Sequence, residues 1–186
     1  MALIINDVKL ERVDPAPNVF NALLSSITSQ QLSTHVAAVI YGRVCDLYKK
    51  KILTPKMIIE TDREILRGAG LSNQKTNYFY NIANFFSESG NKRIRWSRLT
   101  DEEIINKLVE IKGVGKWTVQ MILMFTLERP DVFPVDDLGI QLSIKEHYNI
   151  QAEKKELKQK MMEIADNWTP YRSLASRYLW AARDKR

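Results

Sequence analysis

Apolar residues recur at helical spacing along most of this chain, and the two-residue alternation of β-strands is nearly absent. Val19, Phe20, Leu23, Leu24 and Ile27 form one stripe, and Val36, Val39, Ile40, Val44 and Leu47 the next. Tyr78, Phe79, Ile82, Phe85 and Phe86 form a third, rich in aromatic rings. Each stripe covers one face of a helix and needs a partner to bury it. Start and stop signals agree with this. Thr54-Pro55 sets a capping hydroxyl before a proline at the first helical position. Thr61 with Glu64, and Thr100 with Glu103, have the capping-box spacing, in which each side chain satisfies the other residue's amide. Gly68 and Gly70 mark a stop, and Ser72 a restart.

The helix begun by Thr100 carries Ile104, Ile105, Leu108 and Val109 on one face and ends at Gly113. The stretch from Lys116 to about Leu127 is apolar almost all round, which predicts burial on every side. Residues 138–148, 154–168 and 171–183 read as further helices. The expectation is an all-α fold of roughly ten helices. Glu128-Arg-Pro-Asp131 is a polar break and the best candidate hinge. It predicts two helical lobes, 18–130 and 1–17 with 131–186.

Composition narrows the function. A net charge of +6 and a pI near 9.4 suit a polyanionic partner. The single cysteine, Cys45, rules out an intrachain disulfide and any cysteine-ligated iron–sulfur cluster built from this chain alone. Cys45 falls among Val36, Ile40, Val44 and Leu47 and reads as a small core residue. His35 and His147 are too far apart in sequence to suggest a histidine metal site. The N-terminus lacks the pattern of a signal peptide, and the longest apolar run, Met121–Phe125, is too short for a bilayer. A soluble intracellular protein with no membrane partner is expected. Lys49-Lys-Lys51 and Glu153–Lys160 read as solvated helix faces.

Two short segments carry chemistry. Gly113-Val-Gly115 leaves only a tight turn between two helices. Glycines there permit positive φ and close backbone approach, and the amides at the start of the second helix suit a phosphate, with Lys112, Lys116 and Thr118 alongside. The same turn also reads as a plain helix stop. Downstream, Asp136-Asp137 precedes a helix. Two acids there commonly cap, Asp136 taking the free amides and Asp137 facing the dipole. A carboxylate at a helix start is also placed to face a sugar on which positive charge develops, an attraction of about 4 kcal/mol at 4 Å and an effective dielectric near 20.

Taken together, Leu108-x-x-Ile-Lys-Gly-Val-Gly-x-Trp-Thr118 and Val132-Phe-Pro-Val-Asp-Asp-Leu138 resemble the helix-hairpin-helix (HhH-GPD) DNA glycosylases of the 3-methyladenine DNA glycosylase II type. Ser29-Gln-Gln-Leu-Ser33, Gly70-Leu-Ser-x-x-Lys75 and Trp168-Thr-Pro-Tyr-Arg-Ser173 with Trp180 extend the resemblance over about residues 18 to 182. It implies two helical lobes with an active-site cleft between them, entered by a nucleotide rotated out of damaged double-stranded DNA, in a cytoplasmic protein (nucleoid-associated if bacterial, nuclear if eukaryotic) that acts as a monomer. Asp137 would be the catalytic aspartate and Asp136 its capping neighbour. Gly113, Gly115, Lys116 and Thr118 would hold a DNA phosphate, and Gln31, with Gln30 beside it, would fill the gap left by the flipped base. Trp117, Met121 and Trp180 would line the base pocket. The carbonyls of Val109, Ile111 and Val114 would coordinate a structural monovalent cation, sodium or potassium, and no other cofactor is implied.

Bifunctional relatives of the endonuclease III type carry a Schiff-base lysine where this chain has Trp117, so the resemblance implies base excision without strand cleavage. The expected reaction is hydrolysis of the N-glycosidic bond of N-alkylated purines, such as 3-methyladenine and 7-methylguanine, in base excision repair. The alternatives are a glycosylase for deaminated or mismatched bases, and a non-catalytic damage-binding module of the same fold. The chain departs from the pattern at Gln141 and Ser143, where relatives often carry basic residues, and at Met121, where some carry an aromatic ring. Weaker DNA contacts and a different substrate range are expected there.

Overall fold

The computed structural model describes residues 1–10, 16, 18–49 and 52–184. Its helices are α1 (Ala2–Asp7), α2 (Val19–Ser29), α3 (Thr34–Asp46), α4 (Pro55–Glu60), α5 (Arg63–Gly68) and α6 (Asn73–Ser87). A 3-10 turn at Trp96–Arg98 then precedes α7 (Asp101–Val109), α8 (Lys116–Phe125), α9 (Leu138–His147), α10 (Lys154–Asp166) and α11 (Arg172–Asp184). No strand occurs among the described residues, so the fold is all-α as expected. No helix among them is long and apolar enough to cross a membrane. Of the Lys49-Lys-Lys51 run, Lys50 and Lys51 lie outside the described residues.

The chain divides into two compact units, Pro15–Ile122 and Met1–Asp14 with Leu123–Arg186. In the first, α6 packs against α2, α4 and α5, and α3 against α2. Leu23, Leu24, Ile27, Ile58, Phe79 and Ile82 are fully buried there. Each contributes about 1.5–3 kcal/mol of hydrophobic stabilisation. A buried polar hub ties down the chain before α4: Asn21 donates to the Leu53 carbonyl (3.0 Å) and accepts from its amide (2.9 Å). The buried amide side chain is therefore satisfied on both sides.

Two expectations change here. The α3 stripe is only partly core, since Val36, Val39 and Leu47 are exposed while Ala37 and Val44 are buried. Cys45 is accordingly half-buried, not a core residue. The capping box forms at Thr100–Glu103 but not at Thr61–Glu64. Thr61 instead ends α4, its hydroxyl donating back to the Met57 carbonyl (2.7 Å), and Asp62 caps α5.

In the second unit α11 packs against α9 and α1, and α10 against α9. Their core contains Ile4, Val8, Ile140, Ile144, Leu157, Met161 and Leu179. The division of the chain falls between Ile122 and Leu123, within α8, whereas the sequence places it near residue 130. The polar break is no loose hinge. The Arg129 amide donates to the Leu123 carbonyl (2.8 Å), and the Ser173 hydroxyl donates to the Arg129 carbonyl (2.6 Å) while accepting from the Val132 amide (2.9 Å). Arg172 grips Asp131 through Nε (2.7 Å) and Nη2 (2.8 Å). These bonds fasten the break to the start of α11 and gather the end of α8 into this unit.

Candidate active site and nucleic-acid interface

The second unit carries the carboxylate. Phe133 to Asp136 form a tight approach to α9, in which the Asp137 amide donates to the Pro134 carbonyl (2.9 Å). The Gln141 side chain, one turn into α9, donates to the Val135 carbonyl (2.9 Å) and braces this approach from behind. Asp137 is the N-cap of α9: its Oδ1 accepts from the Ile140 amide (2.9 Å) and from the Trp180 indole N–H (2.8 Å). Capping therefore belongs to Asp137, not Asp136. The N-cap position lies immediately before the first helical residue, which lets a short carboxylate reach the amide three residues on. Asp136 turns outward to Lys158 (2.5 Å).

Trp180 has a role that the sequence did not disclose. Expected as a wall of the base pocket, it bonds the Asp137 carboxylate through its N–H, and its ring packs against Phe125 at 6.0 Å. Gly139 leaves room for this arrangement. A Cβ there would lie 3.1 Å from Trp180 Cδ1, 3.2 Å from Asp137 Oδ1 and 3.3 Å from Trp180 Nε1. The one available sequence signal was a glycine in the first turn of a helix, where propensity disfavours it. Ser143 is buried, and the half-buried Gln141 spends its amide on the Val135 carbonyl within the unit.

The first unit carries the hairpin between α7 and α8. Gly113 has φ +104, and a Cβ on it would lie 2.4 Å from the Tyr78 ring, so both backbone conformation and space demand glycine. Gly115 differs: a Cβ there would meet nothing within 4 Å. Its openness leaves the backbone at the start of α8 accessible to an outside group, alongside exposed Lys112 and Lys116. Thr118, expected to present its hydroxyl to the same group, is only 3% exposed and belongs to the interior. The helix is not buried on all sides either. Trp117 is 42% exposed, and Met121, one turn on along the same face, is half-buried. Of the expected cation donors, Val109 is the exposed last residue of α7, while Ile111 and Val114 lie in the turn, where the Ile111 carbonyl accepts from the Val114 amide (2.9 Å).

The glutamine turn between α2 and α3 comes close to this hairpin in space. Gln30, Gln31, Ser72, Gln74, Lys75, Tyr78 and Gly113 line one pocket of about 160 Å³. Gln31 is exposed and has φ +58, a conformation that strains a non-glycine residue. Motifs widely separated in sequence thus share one polar surface. Tyr78 and Gln74, which are bonded to each other (2.6 Å), belong to it although the sequence suggested neither.

The family described as HhH-GPD superfamily base excision DNA repair protein matches residues 24–168. This chain belongs to that family. The HhH-GPD chain is 33% identical over 173 residues to DNA-3-methyladenine glycosylase 1 of Schizosaccharomyces pombe, covering 92% of this chain and 73% of that protein. A DNA-3-methyladenine glycosidase structure from Bacillus halodurans superimposes with a TM-score of 0.83 at 34% identity, covering 97% of this chain and 82% of that one. The structure of the S. pombe 3-methyladenine DNA glycosylase in complex with abasic DNA superimposes with a TM-score of 0.81 at 30% identity, covering 96% and 87%. Another relative, from Bacillus subtilis, is longer, and this chain spans 58% of its length.

Proposed function

We propose that this HhH-GPD protein is a monofunctional DNA glycosylase. It flips N-alkylated purines, of the 3-methyladenine and 7-methylguanine kind, out of double-stranded DNA and hydrolyses their N-glycosidic bond in base excision repair. The fixed Asp137 carboxylate carries this reading. Two donors on Oδ1 hold it at the start of α9. A carboxylate oriented before the reaction stabilises charge without having to reorganise as that charge develops.

An N-alkylated purine carries the positive charge itself. When its bond to C1′ breaks, the electron pair leaves with the base, which departs neutral, and the charge passes to the sugar. Asp137 stabilises this oxocarbenium-like sugar and orients the water whose oxygen bonds to C1′, and the proton that the water gives up leaves to solvent. Because the leaving group needs no proton, a general acid is unnecessary. Trp117 and Met121 meet the flipped base, where the indole attracts a cationic ring more strongly than a neutral one. Trp180 orients Asp137. A tryptophan at position 117 provides no amine for a Schiff base, so the DNA strand stays intact.

Gly113, Gly115 and Lys116 grip a phosphate near the lesion, and Gln31, supported by Gln30, occupies the vacated stack. Val109, Ile111 and Val114 offer neutral carbonyl oxygens, a donor set that fits a sodium or potassium ion. The names of the relatives support the substrate class, and the relative solved with abasic DNA supports the partner. Asp137→Asn is the direct test. It is expected to abolish release of alkylated base while DNA binding persists; release at the wild-type rate would remove Asp137 from the chemistry.

A further inference from the structure

We propose that Lys75 is a positioning residue that holds the Gln31 tip ready to enter the duplex, an inference that rests on the glycosylase reading above. The Lys75 ammonium donates to the carbonyls of Thr28 and Gln30, both at 2.7 Å. These are terminal carbonyls of α2, for which the helix has no amides of its own left. Lys75 itself stands in the first turn of α6, its amide held by the Ser72 hydroxyl (3.2 Å). One side chain therefore bridges the start of α6 and the end of α2. Its positive charge also faces the negative end of the α2 dipole.

Gln31 follows directly, with φ +58 and an exposed side chain. Nothing in its own sequence favours that conformation, since it is neither glycine nor asparagine. Carbonyls pinned immediately before it leave the chain little freedom to relax. Gln31 is thus set in shape before DNA arrives, and ordering the tip is not charged against binding. Lys75 is half-buried, and burial pushes its ammonium below the ordinary lysine range. A lysine placed only to meet a phosphate would more naturally stand in water.

The test compares wild type, Lys75→Met, Lys75→Arg and Gln31→Ala on 7-methylguanine in two settings, paired within a duplex and unpaired in a loop. Unpaired lesions leave no stack to fill, so a positioning role affects only the paired substrate. Lys75→Met is expected to lower kcat/KM on the paired lesion roughly ten-fold and on the looped lesion by less than about two-fold. Lys75→Arg should recover most of the loss, and Gln31→Ala should show the same selectivity without adding to Lys75→Met in the double variant. The slope of log affinity against log salt should match wild type. Equal losses on both substrates, no loss on either, or a slope reduced by about 0.9 would overturn the assignment, the last by making Lys75 a phosphate contact. Wild-type activity on both substrates is the control: its absence sinks the glycosylase reading, and its presence leaves the outcome to bear on Lys75 alone. Should Lys75→Met fold poorly, the Gln31→Ala and Lys75→Arg pair decides the question.

Discussion

Alanine in place of Gly139 adds one methyl group 3.1–3.3 Å from the Trp180 indole and the Asp137 carboxylate. In a helix alanine is normally favoured over glycine by about 0.5–1 kcal/mol. Gly139→Ala is therefore expected to keep or slightly raise thermal stability while lowering kcat, because the indole must move away from the carboxylate it orients. A parallel melting curve and base-release assay separate the two effects. Unchanged kcat would show that the Trp180 hydrogen bond does not matter to the reaction. The two hairpin glycines make a second contrast. Gly113→Ala must displace the Tyr78 ring and strain a left-handed backbone, and should cost about 2–3 kcal/mol of folding stability. Gly115→Ala meets open space and should melt within about 0.5 kcal/mol of wild type, yet bind DNA more weakly by holding the phosphate off the backbone. Urea titrations beside DNA-binding isotherms distinguish these outcomes.

At the scale of elements, the segment between α8 and α9 depends on the Asp131–Arg172 pair. Hydrogen bonding from Arg172 holds the Asp131 carboxyl below its usual 3.8. A carboxyl whose folded value is lowered adds stability that is fully present above the unfolded value and lost as pH falls through the folded one. Asp131→Asn is expected to destabilise at pH 7 by on the order of 1–2 kcal/mol, with the deficit shrinking as pH drops below 3.8. Urea midpoints at neutral pH and near pH 3 check this, and a deficit independent of pH would assign it to packing. Elements of this kind differ in how far sequence reveals them. The α2 stripe, the Thr54-Pro55 start, the Thr100 box and the Ser72 restart are local patterns, and each forms as read. The Trp180–Asp137 bond, the Ser173 and Arg172 tethers and the pocket joining Gln31 to Gly113 span long sequence separations. Periodicity contains no information about such pairs. The α3 stripe failed for a related reason: a helix pattern shows which face is apolar, not whether a partner arrives to cover it.

For the whole molecule, the net charge of +6 makes DNA association dependent on salt. Lys116, exposed at the start of α8, is one of the cations expected to neutralise a phosphate. Lys116→Met should weaken binding to every sequence alike and reduce the log–log salt slope by about 0.9. An unchanged slope would place Lys116 away from the backbone. Trp117, next to it, contributes differently. An indole left 42% exposed presents apolar surface to solvent in the free protein. Covering that surface with a purine removes it from water and lowers the heat capacity of the complex. If Trp117 meets the base as proposed, the enthalpy of capture is expected to grow more favourable with rising temperature, and a calorimeter to read the base's arrival as a negative heat-capacity change, without waiting for the bond to break.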